Sequence, residues 1–332
     1  MGATIMAAGE TANPQAAVRT VMLFAGQGSQ YYQMGRELQA SDAVFRASLA
    51  RCDQAAGPVE GRSLSQIIYG RPMAESAGFD RQIESAPALL AIGWSLAQSL
   101  FARGIRPDLL LGYSLGETIA ATVAGVLTLE EAFSLVFENA RSFEALLAPA
   151  AMLAVLAPAA RVMALPGVAA ARAELAAINS PQHCVLTLPR AGLAPLMAAL
   201  EAEGLVIAAL PVRYGFHASL LDPAEAAVTA AAARRHFRRP AFPLFSCATA
   251  APLAVLDAAH LWQVARGPIR FEAAIRALAA EGRPLRFVEA GPTGTLAAFA
   301  RQVLGAQTLA LPAINQFGHD LRSMALVEER FR

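Results

Sequence analysis

Three short apolar runs, each followed by a glycine turn, constrain this chain more than any other feature. Val21-Met22-Leu23-Phe24-Ala25 runs into Gly26, and Leu109-Leu110-Leu111 runs into Gly112. Leu285-Arg286-Phe287-Val288-Glu289 is the third, followed by Gly291-Pro292. Runs this short and this apolar predict strands that are buried. Alanine-rich amphipathic stretches lie around them, at 86–103, 116–124, 129–147, 223–235 and 271–281. Strands alternating with helices predict an α/β fold with a mostly parallel sheet. The length of 332 residues suits one large domain or two ordinary ones. With 55% hydrophobic and 16% charged residues, the chain can build a deep core and is not disordered.

Residues 150–212 read differently. Met152–Leu156, Cys184–Leu188 and Val206–Leu210 read as strands, with helices at about 168–177 and 192–203. This β-α-β-α-β order predicts a small α+β subdomain of the ferredoxin-like kind inserted into the larger domain. The large domain is then 19–149 plus 213–332, and residues 1–18, small and without periodicity, read as a loose N-terminal tail.

Composition narrows the chemistry. The net charge is +1, which gives no electrostatic case for nucleic acid or an anionic membrane surface. All 27 basic residues are Arg, so Lys is excluded as a Schiff base, P-loop cation or general base. Cys52, Cys184 and Cys247 are odd in number and widely spaced, which speaks against a disulfide framework or a Cys-based metal site. The stretch from Leu109 to Leu127 is interrupted by Ser114, Glu117, Thr118 and Thr122, so no membrane span is expected. No basic-then-apolar leader is read at the N-terminus, and the expected location is cytoplasmic.

The sharpest local signal is Gly112-Tyr113-Ser114-Leu115-Gly116, after an apolar strand and before a helical stretch. In that context G-x-S-x-G reads as a nucleophile elbow, which lifts a serine out of the backbone at a helix N-terminus. A glycine-flanked turn with a capping serine would read the same. As a nucleophile, Ser114 needs a base. Of His183, His217, His236, His260 and His319, only His217 follows an aromatic-glycine turn, Tyr214-Gly215-Phe216. That turn suits an active-site wall, although an ordinary half-buried histidine would fit it too. His183 reads as a surface loop residue, and His260 lies in a polar stretch with nothing to recommend it. Gly26-Gln27-Gly28-Ser29-Gln30 brings backbone close to something after the first strand. Without Lys it is no phosphate loop, and a backbone N–H offered to an oxyanion fits better.

Four segments in this order, Phe24–Gln30, Gly112–Glu117, Phe216–Ser219 and Glu289–Pro292, resemble the landmarks of the malonyl-CoA:acyl-carrier-protein transacylase family. That family includes the acyltransferase domains of polyketide synthases, and the resemblance covers about residues 20–310. It implies a large α/β-hydrolase-like domain with a ferredoxin-like insert. It also implies a Ser114–His217 dyad with an oxyanion hole from the Gln27 and Leu115 N–H groups. The histidine would be oriented by a backbone carbonyl, by position that of Arg270. No cofactor or metal is implied, because the substrate itself carries phosphopantetheine or CoA.

The chain departs from the family at the acyl pocket. Malonyl-transferring members place an Arg at the position of Asn139 to clamp the malonyl carboxylate. Ala132, Leu135, Val136, Asn139, Phe143 and Leu146 share one helix face. Arg141 is turned roughly 200° away from Asn139, at about 100° per residue. A two-residue shift would be needed to bring Arg141 in. Ala86 stands where the family has a Gln, and Tyr113 where it has a His. Tyr113, Phe216 and Tyr214 are the remaining expected pocket residues.

The reading is serine-dependent acyl transfer on thioesters of an acyl carrier protein, with non-malonyl groups released to water. It is most like the free-standing acyl hydrolases of trans-acyltransferase assembly lines. The alternatives are an acyltransferase that loads malonyl or another acyl group from acyl-CoA, a non-catalytic docking protein, and a general α/β-hydrolase esterase. The expected partner is the acyl carrier protein, with acyl-CoA as a second candidate, and the chain is expected to act as a monomer without nucleic acid or membrane.

Overall fold

The strand readings in the large domain reflect a sheet with a core on each side. In the computed structural model, which describes residues 17–332, β1 (Arg19–Phe24) sends Met22 and Phe24 into one buried cluster and Val21 and Leu23 into the other. β2 (Leu109–Gly112) and β9 (Leu285–Glu289) divide likewise, Leu110 and Val288 to one side, Leu109, Leu111 and Phe287 to the other. Burial on both faces is why these runs are apolar without alternation.

The larger sheet has the order β10-β9-β1-β2-β7-β8, where β7 is Leu244–Ser246, β8 is Ala251–Leu253 and β10 is Ala310–Pro312. Its pairs are parallel except β7 with β8. Phe24 pairs with Gly112 and Leu23 with Glu289, so the carboxyl ends of the three central strands lie side by side. Each of those ends opens into one of the glycine turns, and such edges are where ligands bind in open α/β sheets. The helix Gln82–Ala102 packs beneath them with nearly every residue buried. Among the described residues it alone is long and apolar enough to cross a bilayer, and 83% of that window is buried inside the protein.

A second sheet is antiparallel throughout, with β3 (Ala150–Val155), β4 (Glu174–Ser180), β5 (His183–Pro189) and β6 (Ile207–Ala209) in the order β4-β5-β3-β6. It has its own apolar cluster around Leu153, Val162, Leu186 and Leu196. The expected helix over 168–177 is wrong in its second half. The chain leaves the helix Pro166–Ala170, passes Arg172 with φ of 52°, and enters β4. Alanines at 173, 176 and 177 favour helix locally, but pairing with β5 and the bridge from Ala177 to Ile269 decide for strand. With β4 added, the order becomes β-α-β-β-α-β. The tail read over 1–18 lies outside the described residues apart from its last two.

Candidate active site

The elbow is built by two glycines that nothing larger can replace. A Cβ on Gly112 would stand 2.2 Å from the Glu117 nitrogen, and one on Gly116 would stand 2.0 Å from the Phe24 carbonyl oxygen. The strand-to-helix turn therefore closes tightly. Ser114 sits at its apex with φ 57° and ψ −122°, ahead of the helix Leu115–Val123. Left-handed backbone at a serine costs on the order of 1–3 kcal/mol and persists only where the surroundings enforce it.

The first glycine turn lies against this elbow. A Cβ on Gly26 would come within 2.5 Å of the Tyr113 carbonyl and 3.2 Å of the Leu115 nitrogen. The turn is pinned from within by Ser29 Oγ donating to the Gly26 carbonyl at 2.6 Å. The Gln30 amide adds to this, accepting from the Gly28 N–H and donating to Phe79 and Pro211. The N–H groups of Gln27 and Leu115 have no backbone or side-chain acceptor among the described residues, and two such donors beside a serine can receive an oxyanion.

His217 completes the arrangement. Its Nε2 lies 2.8 Å from Ser114 Oγ. Its own backbone is left-handed, with φ 61°, and its N–H donates to the Ala265 carbonyl at 3.0 Å. Its Nδ1 is 3.0 Å from the Gly267 carbonyl, which fixes the tautomer with Nε2 free to accept. Burial lowers its pKa to about 4, so the ring is neutral at pH 7. A hydroxyl and a neutral imidazole held in this way can exchange a proton when the oxygen attacks a carbonyl.

The orienting carbonyl is thus Gly267, not Arg270. The Arg270 carbonyl is taken by Ala274 N–H at the start of the helix Phe271–Ala280, and its own N–H donates to Cys247. Gly267 follows the end of the helix Ala258–Arg266 in extended geometry, φ −78° and ψ 155°, which turns its carbonyl out of the helix and toward the ring.

A cavity of about 80 Å³ opens from Ser114 and His217. Its walls include Ala86, Leu135, Val136, Phe143, Phe216 and Val264, with Asn139 among them. Among the described residues, no charged side chain lines it. Asn139 Oδ1 is buried without a hydrogen-bond partner. Arg141 is exposed, its guanidinium 5.9 Å from the centre of the Phe137 ring. Asn139 and Arg141 therefore face as the helical periodicity predicted.

Residues 21–317 match the acyl transferase domain family. This chain belongs to that family. It is 39% identical to a polyketide biosynthesis acyltransferase homolog, BaeD, of Bacillus velezensis, over 86% of this chain and 88% of that one. It is 35% identical to the homolog PksD of Bacillus subtilis, over 93% and 95%. The loading acyltransferase of the avermectin modular polyketide synthase superposes with TM-score 0.84 at 30% identity, covering 93% of this chain and 99% of that one. The malonyl-CoA:acyl carrier protein transacylase of Xanthomonas oryzae superposes with TM-score 0.80 at 27% identity, covering 96% and 99%. The chain is an acyltransferase of the polyketide synthase type.

Two expected pocket residues of this acyltransferase lie elsewhere. Tyr113 points to the other side of the elbow, where its hydroxyl donates to Asn179 Oδ1 at 3.0 Å. It lines a separate cavity of about 220 Å³ between the two sheets, together with His183, Thr293 and Phe299. Tyr113 therefore does not line the cavity at Ser114. Tyr214 lines neither cavity and instead meets Phe216 edge to face at 6.5 Å.

His183 is half-buried at the start of β5 rather than in a surface loop. Its Nδ1 is 3.1 Å from Asn179 Nδ2, its ring lies against Phe299, and burial lowers its pKa. His260 is buried and bonded to Glu117, as described below. Nothing local to its sequence signals this, since its partner lies 143 positions away.

Proposed function

We propose that this acyltransferase forms an acyl-enzyme on Ser114 from acyl-carrier-protein thioesters and releases non-malonyl acyl groups to water. Ser114 Oγ attacks the thioester carbonyl and its proton passes to His217 Nε2. The oxyanion is held by the N–H groups of Gln27 and Leu115. The C–S bond breaks, and the leaving pantetheine thiolate takes the proton. Water then attacks the ester, His217 takes the water proton, and the C–O bond breaks as Ser114 is reprotonated. No cofactor or metal takes part in this scheme.

The observation that carries the specificity is the uncharged acyl cavity with Asn139 on its wall. An Asn can donate to a carboxylate but cannot neutralise it, and its carbonyl oxygen repels one. A desolvated, unpaired carboxylate is strongly disfavoured, whereas acetyl, propionyl or butyryl brings no such cost. A water-sized group needs about 10–15 Å³ in a cavity. A cavity of about 80 Å³ thus holds on the order of five to eight such groups, room for a short acyl chain. The 2.8 Å contact between Ser114 and His217 and the free N–H pair favour an enzyme over a docking protein.

The competing reading, loading of a carrier protein from acyl-CoA, shares every step up to the acyl-enzyme and differs in the acceptor. Carrier protein bearing acetyl, butyryl or malonyl is incubated with the enzyme and weighed intact. Free holo-carrier and short-chain acid are expected from acetyl and butyryl. Acyl groups that move only between CoA and carrier, or malonyl consumed fastest, would replace hydrolysis by loading.

A further inference from the structure

Glu117 is the third residue of the helix that follows the nucleophile, and His260 is the third residue of the helix Ala258–Arg266. Both are buried, and His260 Nε2 lies 2.9 Å from Glu117 Oε2. The other carboxylate oxygen accepts from Ser246 Oγ at 2.9 Å and from the Ala248 N–H at 3.1 Å. One carboxylate therefore ties together the nucleophile helix, the end of β7 and the helix of His260. A charge taken this far from water costs several kcal/mol unless its oxygens are hydrogen-bonded, and here both are.

The helix gripped at His260 is the one that holds the catalytic imidazole. Leu261, Val264 and Ala265 on it line the acyl cavity. The carbonyls of a helix's last turn lack partners within the helix. Here Ala265 gives one of them to the His217 N–H, and Gly267, just past the end, gives the next to Nδ1. The clamp, the cavity wall and both supports of His217 thus lie within a single short stretch. A displacement of this helix carries the imidazole with it, away from a serine fixed by the elbow glycines.

We propose that Glu117 and His260 are a positioning pair that sets the distance between Ser114 and His217 by locking the base-supporting helix to the nucleophile helix, with Ser246 bracing the same carboxylate. The proposal rests on the Ser114–His217 dyad. The pair touches no substrate, and its effect runs through His217. A misplacement of about 1 Å at a reacting group can cost a hundredfold in rate.

The test is a double-mutant cycle on the rate of acyl-enzyme formation from butyryl-carrier protein, read by quenched-flow mass spectrometry. His260→Leu is expected to slow acylation about ten- to hundredfold with the KM for carrier protein unchanged. His260→Gln keeps an N–H at the same reach and is expected to recover most of that rate. In a His217→Ala background, His260→Leu is expected to change nothing further, because the group it positions is gone. Ser246→Ala, which loosens the same carboxylate with a smaller change, runs through the same cycle should His260→Leu not fold. Additive losses in the His217→Ala background, or a wild-type rate for both His260→Leu and Ser246→Ala, would overturn the positioning role and leave the dyad standing. A wild-type rate for His217→Ala alone would overturn the dyad, and the positioning role with it.

Discussion

Returning a cation to the acyl cavity is the most searching perturbation of the proposed specificity. Asn139 lies on the cavity wall with Oδ1 buried and unpartnered, and no charged side chain shares that wall. Asn139→Arg places a guanidinium among Leu135, Val136 and Phe143, on a wall with no acidic side chain among the described residues, where a malonyl carboxylate can pair with it. Breaking a buried ion pair by removing one partner costs about 3–5 kcal/mol. Wild type faces malonyl in that broken state, and the variant repairs it. At about 1.4 kcal/mol per decade, malonyl should gain roughly two to three and a half decades over butyryl in the variant. The longer side chain also occupies a cavity of about 80 Å³, so turnover of butyryl should fall in absolute terms. Competing malonyl- and butyryl-pantetheine thioesters in one reaction, with the Ser114 adduct read by intact mass, measures the ratio directly. A malonyl-to-butyryl ratio that does not move on substitution, in a variant that still forms an adduct, refutes the charge argument. A wild-type enzyme already loaded preferentially with malonyl refutes it sooner.

Ser114→Ala should abolish the covalent adduct, and His217→Ala should slow its formation by on the order of 10²–10⁴, both followed by the same mass assay. With His217 held at a pKa of about 4, the acylation rate should stay flat from pH 7 down to about 5 and fall by half near pH 4; an inflection at the ordinary value near 6.5 contradicts its burial. The same depression stabilises the fold above the unfolded pKa near 6.5, and that contribution is lost as pH falls through about 4. Glu289 behaves oppositely. Burial raises its pKa to about 7, so its contribution is present below about 4.5 and lost as pH rises through 7. Glu289→Gln should therefore leave urea stability at pH 4 nearly unchanged and raise it by up to about 3 kcal/mol at pH 8. Gly116→Ala should prevent soluble expression or unfold the elbow in thermal melts, since its Cβ would stand 2.0 Å from a backbone oxygen of β1 that cannot yield.

Much of the fold and the centre of the site were legible because their signals are local. Strands buried on both faces are mostly apolar, so β2, the Val21–Phe24 run of β1 and the Phe287-Val288 centre of β9 stand out in one dimension. An elbow needs glycines at fixed spacing around the serine, and Gly112 and Gly116, set between an apolar run and a helical stretch, mark Ser114 from local sequence. The helical period put Asn139 on the apolar face of its helix and Arg141 off it, and the family resemblance identified that face with the pocket.

What the sequence could not convey depends on partners far along the chain. The alanines of β4 favour helix on their own and become strand because β5 and Ile269 offer hydrogen bonds. Arg270 lost the orienting role to Gly267 because the next helix claims the Arg270 carbonyl, a competition visible only when both helix ends are in place. Tyr113 and Tyr214 left the acyl cavity because a hydrogen bond to Asn179 and the packing around Phe216 hold them elsewhere. His260 had no local mark at all, since its carboxylate partner is brought to it by the packing of two helices. The sequence by itself determined which strands are buried, where the chain turns sharply at Ser114 and which residues of the helix Leu129–Leu146 share a face, because each follows from spacing along the chain. The tertiary structure alone decided which carbonyl meets His217 Nδ1 and which carboxylate meets His260, because a hydrogen bond goes to whichever acceptor the packed elements leave free.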